Sequence, residues 1–335
     1  MWLSKLNKKG VFMKLFNLTS LVVFLLFTAQ CSVAQDIWPQ RPITLVVGFV
    51  PGGAADIAAR TVSARMAEIL GTTIIVDNRA GAATTMASSY VARSKPDGYT
   101  LYLGSVNLHG LDKILYPSIT YDGNKDFTPI TRWVSSPAIV VVRKGSGITS
   151  LADLVKKAKA NPGSINVATA GKGSTIQLAM IDFMKTTGTV FTEIPYKGGS
   201  PATMSVLGGD TQVTFATPPT VLSLIRSDKL DALSVTSAQR SSIFPEIPSS
   251  VESGVNNYDY RFWYGLYAPA NLPAGIANKL FLASVEALKD AEVQKKLNIA
   301  GMEAVPSTSQ SEFKALIMID GQKTEAFGRL IGKAD

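Results

Sequence analysis

Cysteine and histidine are almost absent from this chain of 335 residues, which contains one of each. A zinc site of the usual kind needs several such side chains, so the sequence excludes one, and a single cysteine excludes an intrachain disulfide. Charged residues form only 17% of the chain, against about 25% in soluble domains. We therefore expect no metal and no cofactor.

The excess of positive over negative charge is also small in most of the chain. The formal net charge is +8, and four of the excess positive charges are Lys5, Lys8, Lys9 and Lys14, so residues 35–335 carry the other four. Acidic and basic residues are interspersed there, without the basic stripe that is typical of nucleic-acid binding. The small positive excess favours anions over cations as ligands, by steering.

The first 34 residues have the pattern of an export signal. A basic start leads into an apolar run from Leu15 to Ala29, and the small residues Ser32 and Ala34 mark a cleavage site before Gln35. The apolar run is about 10–12 residues long, too short for a permanent membrane helix. We predict that residues 1–34 are a signal peptide and that the mature chain is periplasmic.

Two alternatives remain open at this end of the chain. In the first, the protein is a lipoprotein and Cys31 carries the lipid. This alternative is less favoured, because lipoprotein signals have Gly, Ala or Ser before the cysteine and this chain has Gln30. Met13 is an alternative start to Met1, since a well-formed signal begins there. Removal of Cys31 leaves a mature chain without cysteine.

Strand and helix patterns alternate along the mature chain. A buried-strand run at 43–49 precedes a helical stretch in which Ile57, Val62, Met66 and Ile69 share a face. Further strands are predicted at 73–77, 99–103, 138–142, 165–168, 191–195, 213–215 and 232–236, and helices at 87–94, 150–161, 175–186, 202–208, 273–298 and 309–331. This βαβ rhythm predicts an α/β fold with parallel sheets covered by helices, and the length predicts two domains.

Two glycine-rich loops are the main candidates for ligand binding. Residues 51–56 and 170–175 each follow a predicted strand and begin a predicted helix. The first amides of a helix lack intrahelical acceptors, and the helix dipole attracts an anion there. Ligands of open α/β sheets bind at this edge. The alternative is that the glycines only form tight turns, since neither loop has dinucleotide or Walker spacing.

Other polar residues near these loops are open to more than one interpretation. Asp56 either N-caps its helix or orients a ligand amine or water, and Lys172 either pairs with a carboxylate or is solvated. A Ser/His/Asp hydrolase would need His109, but no G-x-S-x-G motif occurs. The aromatic stretch at 258–267 either walls a pocket or packs in the core.

Short motifs occur in a fixed order along the mature chain. They are Trp38-Pro-Gln-Arg-Pro-Ile43, Pro51-Gly-Gly-Ala-Ala-Asp56 with Ala59-Arg60, Asp77-Asn-Arg79 with Gly81, Lys95-Pro-Asp-Gly-Tyr-Thr100, Asp126-Phe-Thr-Pro-Ile130, Ile194-Pro-Tyr-Lys-Gly198 with Pro201-Ala202, Leu207-Gly-Gly209, Ala232-Leu-Ser-Val-Thr-Ser237 with Arg240-Ser241, Pro245-Glu-Ile-Pro248 and Trp263-Tyr-Gly-Leu-Tyr-Ala-Pro269. Essentially end to end, the chain resembles the Bug family of periplasmic solute-binding proteins, the receptors of tripartite tricarboxylate transporters.

The resemblance implies a two-lobed Venus-flytrap fold of type II, with two parallel-rich sheets and a central cleft. It places lobe one at 35–136 and 257–335 and lobe two at 137–256, with crossings near 133–138 and 256–264. It also implies a monomer that works with integral-membrane permease subunits. Family ligands are small carboxylates, which loop amides and ordered waters hold.

Three positions depart from the family pattern. Ala83-Thr-Thr85 replaces Gly-Gly-Asn, Gln177 replaces a histidine, and Phe215-Ala216-Thr217 lacks an aspartate. Loss of the aspartate favours a ligand without an amine, so we predict that amino acids do not bind. The predicted ligand-binding residues are Gly53, Ala54, Ala55, Asp56, Thr85, Ser105, His109, Gly171, Lys172, Gly173, Ser174, Thr175, Gln177, Tyr196, Ala216 and Thr217.

The favoured function is a binding receptor that is not an enzyme and that delivers an organic acid to a permease. The alternative is a sensor that presents its ligand to a membrane two-component kinase. A more remote alternative is a periplasmic hydrolase that uses a serine with His109. A neighbouring permease pair or a neighbouring two-component system would discriminate the first two.

Overall fold

The computed structural model describes residues 38–331, so the predicted signal peptide, its cleavage site and Cys31 lie outside the described residues. The chain divides into two units, Met1–Gln40 and Arg41–Asp335, and every strand and helix below belongs to the second. The strands are β1 Ile43–Val47, β2 Ile74–Asn78, β3 Thr100–Gly104, β4 Phe127–Pro137, β5 Ile139–Arg143, β6 Asn166–Thr169, β7 Thr192–Pro195, β8 Val213–Ala216, β9 Leu230–Val235, β10 Arg261–Pro269 and β11 Glu303–Ala304. The helices are α1 Ala54–Leu70, α2 Thr85–Ala92, α3 Leu111–Leu115, α4 Leu151–Ala160, α5 Thr175–Thr187, α6 Gly199–Gly208, α7 Pro218–Arg226, α8 Ala274–Lys289, α9 Ala291–Ile299 and α10 Gln310–Ile331.

The strands form two sheets, each with a parallel part and an antiparallel part. The first has the order β11-β4-β10-β3-β1-β2, and the second β7-β6-β8-β5-β9. Strand β1 runs parallel to β2 and β3, and β6 runs parallel to β7 and β8. The remaining pairs are antiparallel. The predicted α/β class with two sheets is confirmed, and the antiparallel strands extend the parallel part of each.

Each sheet has its own hydrophobic core, which gives the molecule two lobes. Tyr102, Tyr267 and Phe313 are fully buried in a cluster against the first sheet. Ala216 and Phe244 belong to a separate buried cluster on the second. Burial of aromatic and aliphatic side chains is the main favourable contribution to folding, so each lobe is stabilised around its own sheet.

The chain changes sheet twice, between Pro137 and Ile139 and between Val235 and Arg261. Thr236 joins the two crossing segments, because its Oγ1 accepts from the Ala138 amide at 2.8 Å and donates to the Tyr260 carbonyl at 2.7 Å. The exact lobe boundaries at 136/137 and 256/257 stay a prediction.

Some elements differ from the sequence prediction. The expected helix at 273–298 is two helices, because Asp290 interrupts it and its carboxylate accepts from the amides of Glu292 and Val293, capping α9. Strands β4 and β10 and helix α7 were not predicted, and Ile57 and Ile69 are only half-buried. Within the described range, no helix combines the length and apolar character needed to cross a membrane.

Candidate functional site

A cleft of about 660 Å³ opens between the lobes. Its walls are the loops that follow β1 and β2 in the first lobe and β6, β7 and β8 in the second, which are carboxyl ends of parallel strands, as predicted. The lining residues are 48–51, 53–55, 80–84, 107, 116, 170–176, 197–201, 217, 220 and 264.

Five helices begin at this cleft. The first residues of α1, α5 and α6 (Ala54, Thr175 and Gly199) line it, as do Thr84, the N-cap of α2, and Thr217, the N-cap of α7. Lys172 and Lys197 are the charged residues of the lining, which includes no Asp or Glu. Helix N-termini carry partial positive charge, and those of α1, α5 and α6 also present N–H groups without an intrahelical acceptor, whereas α7 begins with Pro218 and Pro219, which have none. The arrangement therefore favours an anionic ligand.

Asp56 braces the first glycine-rich loop. Its Oδ2 accepts from the Gly52 amide at 3.0 Å, and Arg60 Nε donates to both carboxylate oxygens at 3.0 and 3.1 Å. Burial opposes ionisation, but these hydrogen bonds outweigh it and hold the pKa of Asp56 below its ordinary value. Gly53, rather than Asp56, is the N-cap of α1. Asp56 is therefore not the N-cap of α1, and it is not among the residues that line the cleft.

Gln177 braces the second loop in the same way. Like Asp56, it is the third residue of its helix, and its Oε1 accepts from the Gly173 amide at 2.6 Å. Its Nε2 donates to both carboxylate oxygens of Glu193 at 2.8 and 3.0 Å. Ser174 is the N-cap and accepts from the Gln177 amide. The amide group of Gln177 thus fixes the loop and lies behind the cleft wall.

Replacing Gln177 with leucine is expected to lower the free energy of unfolding by about 2 kcal/mol, because the Gly173 amide and the Glu193 carboxylate lose hydrogen-bond partners. Urea denaturation measures the loss. The matched control is the exposed Gln239→Leu, for which we expect less than about 0.5 kcal/mol. Equal stability of the two variants would show that the brace contributes nothing.

A strained turn forms part of the first-lobe wall. Ala82, Ala83 and Thr84 all have positive φ, at 42°, 48° and 81°. The left-handed region costs non-glycine residues about 1 kcal/mol each. Thr84 also packs so closely on Gly48 that a Cβ there would lie 2.7 Å from its own Cβ. Ala83 and Thr84 thus carry side chains at two positions where the family pattern has glycine.

Asn107 and Tyr264 are among the lining residues that the sequence analysis did not predict as site residues. Asn107 follows β3, the third strand of the parallel set, and its Nδ2 donates across the cleft to the Gly173 carbonyl. Tyr264 lies on β10 and packs edge-on against Phe49, with ring centroids 5.8 Å apart. Asn107 lies between Ser105 and His109, both of which the sequence analysis selected, and Tyr264 lies in the aromatic stretch that the sequence left open to either role.

The structure brings nine of the predicted site residues to the cleft wall and leaves seven away from it. Those on the wall are Gly53, Ala54, Ala55, Gly171, Lys172, Gly173, Ser174, Thr175 and Thr217. The seven others have structural contacts instead. Three of them are Asp56 and Gln177, which brace the loops, and His109. Thr85 donates its hydroxyl to the Ala82 carbonyl, and Tyr196 donates its amide to the Thr169 carbonyl. Ser105 precedes the turn Val106–His109, and Ala216 lies in the core of the second lobe.

His109 lies on a second cavity, of about 400 Å³, against α10. Its Nδ1 is 3.0 Å from Asn124 Oδ1 and its Nε2 is 3.1 Å from the Tyr267 hydroxyl. Burial lowers the pKa of His109 to about 4, although the bond to Asn124 opposes this. The ring is therefore neutral at pH 7, and both nitrogens are engaged, which leaves none to accept a proton from a serine.

In the part of the chain that the structure describes, no cluster of three or more His, Cys, Asp or Glu residues could hold a metal ion.

Comparison with known proteins identifies the family. Residues 58–334 match the family described as the tripartite tricarboxylate transporter family receptor, TctC. BugT of Bordetella pertussis is 33% identical over 298 residues, which is 87% of this chain and 91% of BugT. A Rhodopseudomonas palustris protein solved with adipate is 30% identical, with a TM-score of 0.82 over 87% of this chain and 97% of that one. MatC of Rhodopseudomonas palustris, solved with bound malate, is 29% identical, with a TM-score of 0.78 over 87% of this chain and all of MatC (100%).

The family match covers most of the sequence, and the similar structures share the two-lobed arrangement around the cleft. This chain belongs to the tripartite tricarboxylate transporter receptor family, the Bug family.

Proposed function

We propose that this protein is a periplasmic receptor that captures a small organic acid as its carboxylate and delivers it to the permease subunits of a tripartite tricarboxylate transporter. One observation carries the proposal: five helices begin at a cleft whose lining has two lysines and no carboxylate. The adipate and malate in the similar structures support the same ligand class. Export with removal of residues 1–34 is part of the proposal.

The ligand in this proposal has no amine. An ammonium group held in a cleft needs an anionic partner, and the lining offers neither Asp nor Glu. Thr217 contributes a hydroxyl and a methyl group where the family pattern has an aspartate nearby. Organic acids are therefore favoured over amino acids.

A hydrolase is less well supported than a receptor. His109 does not line the cleft, and its two ring nitrogens are hydrogen-bonded to Asn124 and Tyr267. The available groups at the cleft are amides, hydroxyls and lysines, which bind and orient an acid.

Thermal unfolding of the chain from Gln35 onward, with a panel of organic acids and amino acids, tests the proposal. An acid at about one hundred times its Kd adds roughly 2.7 kcal/mol to the free energy of unfolding, which raises Tm by several degrees for a protein of this size. We expect adipate, malate or a related acid to do this and aspartate and glutamate to leave Tm unchanged.

A shift with aspartate or glutamate that matches the best acid would contradict the exclusion of amines. The absence of a shift with every acid, despite cooperative unfolding, would contradict the receptor function itself.

A further inference from the structure

The second glycine-rich loop is held by both lobes at a single residue. Gly173 donates its amide N–H to Gln177 within its own lobe, at 2.6 Å, while its carbonyl accepts from Asn107 Nδ2 of the first lobe. Asn107 is 3% exposed. Its donor group therefore has little access to water, and losing its acceptor would cost free energy.

The packing around Gly173 shows that the lobes touch there. A Cβ at this position would lie 3.0 Å from Leu115 Cδ1 and 3.4 Å from the Cβ of Ala83, both of which belong to the first lobe. The φ of Gly173 is +78°, which a side chain rarely adopts. A glycine is needed at this point, because the loop of one lobe lies directly against the other.

The contact lies next to the amides that face the ligand. Gly173 immediately precedes Ser174, the N-cap of α5, and the next two residues, Thr175 and Ile176, line the cleft at the start of the helix. Helix geometry leaves the first amides without an intrahelical acceptor. Fixing the Gly173 peptide therefore fixes where these two N–H groups point when the lobes are together.

Three further bonds join the same helix to the first lobe or to the crossing segment, and one of them runs from the Tyr258 hydroxyl to the Ala179 carbonyl at 2.9 Å. The Tyr260 hydroxyl donates to the Thr175 carbonyl at 3.1 Å, and Lys323 Nζ lies 3.1 Å from Asp182 Oδ2. Tyr260 precedes β10 on the second crossing, and Lys323 is half exposed. Of these groups, Asn107 lines the cleft itself and holds the loop before α5, whereas Tyr258, Tyr260 and Lys323 hold the helix from outside the lining.

We propose that Asn107 is a positioning residue for ligand capture: its bond to the Gly173 carbonyl stabilises the closed cleft and aims the amides of Thr175 and Ile176 at the bound acid. This inference rests on the proposed function, which it deepens. Since an acid held by both loops requires the closed arrangement, weakening this bond lowers affinity by reducing the fraction of molecules that are closed.

The test compares Asn107→Asp and Asn107→Ala. Aspartate has nearly the shape of asparagine, but it brings a carboxylate towards the Gly173 carbonyl in place of the donor. We expect the ratio of closed to open molecules to fall about fivefold for alanine, the value of one ordinary hydrogen bond, and by more than about tenfold for aspartate. Asn298→Asp is the control, since Asn298 is exposed on α9.

The readout is the distance between spin labels on the two lobes, measured by electron double resonance. Labels are attached through Ile75→Cys and Met204→Cys, both at exposed side chains, in the chain from Gln35 onward, which has no other cysteine. Samples contain no acid, or adipate or malate as the probe. The short-distance population should decrease in both Asn107 variants and be unchanged in Asn298→Asp, and the Kd for the probe should rise in inverse proportion to the closed fraction measured without acid.

The outcomes separate the two proposals. If the Asn107 variants keep the wild-type distance distribution in every sample, or if only the long distance is ever seen, the positioning role is overturned. A rise in Kd with unchanged distances would mean direct contact with the ligand and also overturns it. If no acid binds the wild-type chain but the variants still reduce the short-distance population, the receptor function fails and the Asn107 contact stands.

Discussion

Asp112→Asn is expected to stabilise the protein by up to about 4 kcal/mol at pH 8 and to leave its stability unchanged at pH 4. Asp112 is 1% exposed, and its carboxyl accepts a hydrogen bond from the Tyr121 hydroxyl at 2.6 Å. Burial raises the pKa of Asp112 to about 7, and the bond from Tyr121 opposes the rise only in part. Asparagine keeps an acceptor for Tyr121 and has no charge to bury.

The sign of the pH dependence follows from proton binding. Asp112 stays protonated in the folded chain up to about pH 7, whereas the unfolded chain loses this proton near pH 4. Folding therefore takes up a proton between these values, and the contribution of Asp112 to the free energy of unfolding falls as pH rises through this window. One pKa unit corresponds to about 1.4 kcal/mol, so the full difference amounts to about 4 kcal/mol.

Urea denaturation of both proteins at several pH values measures the effect. His109 also contributes a pH dependence, because its lowered pKa makes the free energy of unfolding rise with pH between about 4 and 6.5. Both proteins contain His109, so its contribution cancels in the difference between their free energies of unfolding. Asp210→Asn, at an exposed position, is the matched control. A difference that does not change with pH would show that Asp112 ionises normally.

Thr217→Asp is expected to weaken binding of the preferred acid by more than 100-fold. Thr217 lines the cleft and is 8% exposed, so the new carboxylate would face the ligand in a site with little water. Two like charges about 5 Å apart repel by about 3 kcal/mol at an effective dielectric constant of 20, and this corresponds to the loss given. Titration calorimetry with the best acid from the thermal panel gives the Kd.

Thr217→Asn is the control, because it has the same size as aspartate without the charge and is an equally good N-cap for α7. We expect it to change the Kd by less than about tenfold, since any effect is that of an ordinary hydrogen bond. The aspartate variant should also bind amino acids better relative to the acid, since an ammonium group gains a partner. Equal losses for the two variants would mean that shape rather than charge matters at this wall.

The sequence by itself determined the features that depend on nearby residues. Each glycine-rich loop sits between an apolar strand run and a helix pattern within about a dozen residues, so the two loops, their helix N-termini and their place at a sheet edge were predictable. The order of motifs along the chain indicated the family and hence the two lobes.

The tertiary structure alone decided which polar side chains line the cleft and which hold the loops. Asn107 meets Gly173 from 66 residues away in the sequence, and Gln177 finds Glu193 from 16 residues away. Asp56 was predicted as a site residue because it lies in a glycine-rich loop, and Gln177 because it stands where the family has a histidine. Both side chains turn back to an amide preceding their helix. Local sequence places a side chain near the cleft, but its direction depends on partners from other strands, because every buried polar group must find one.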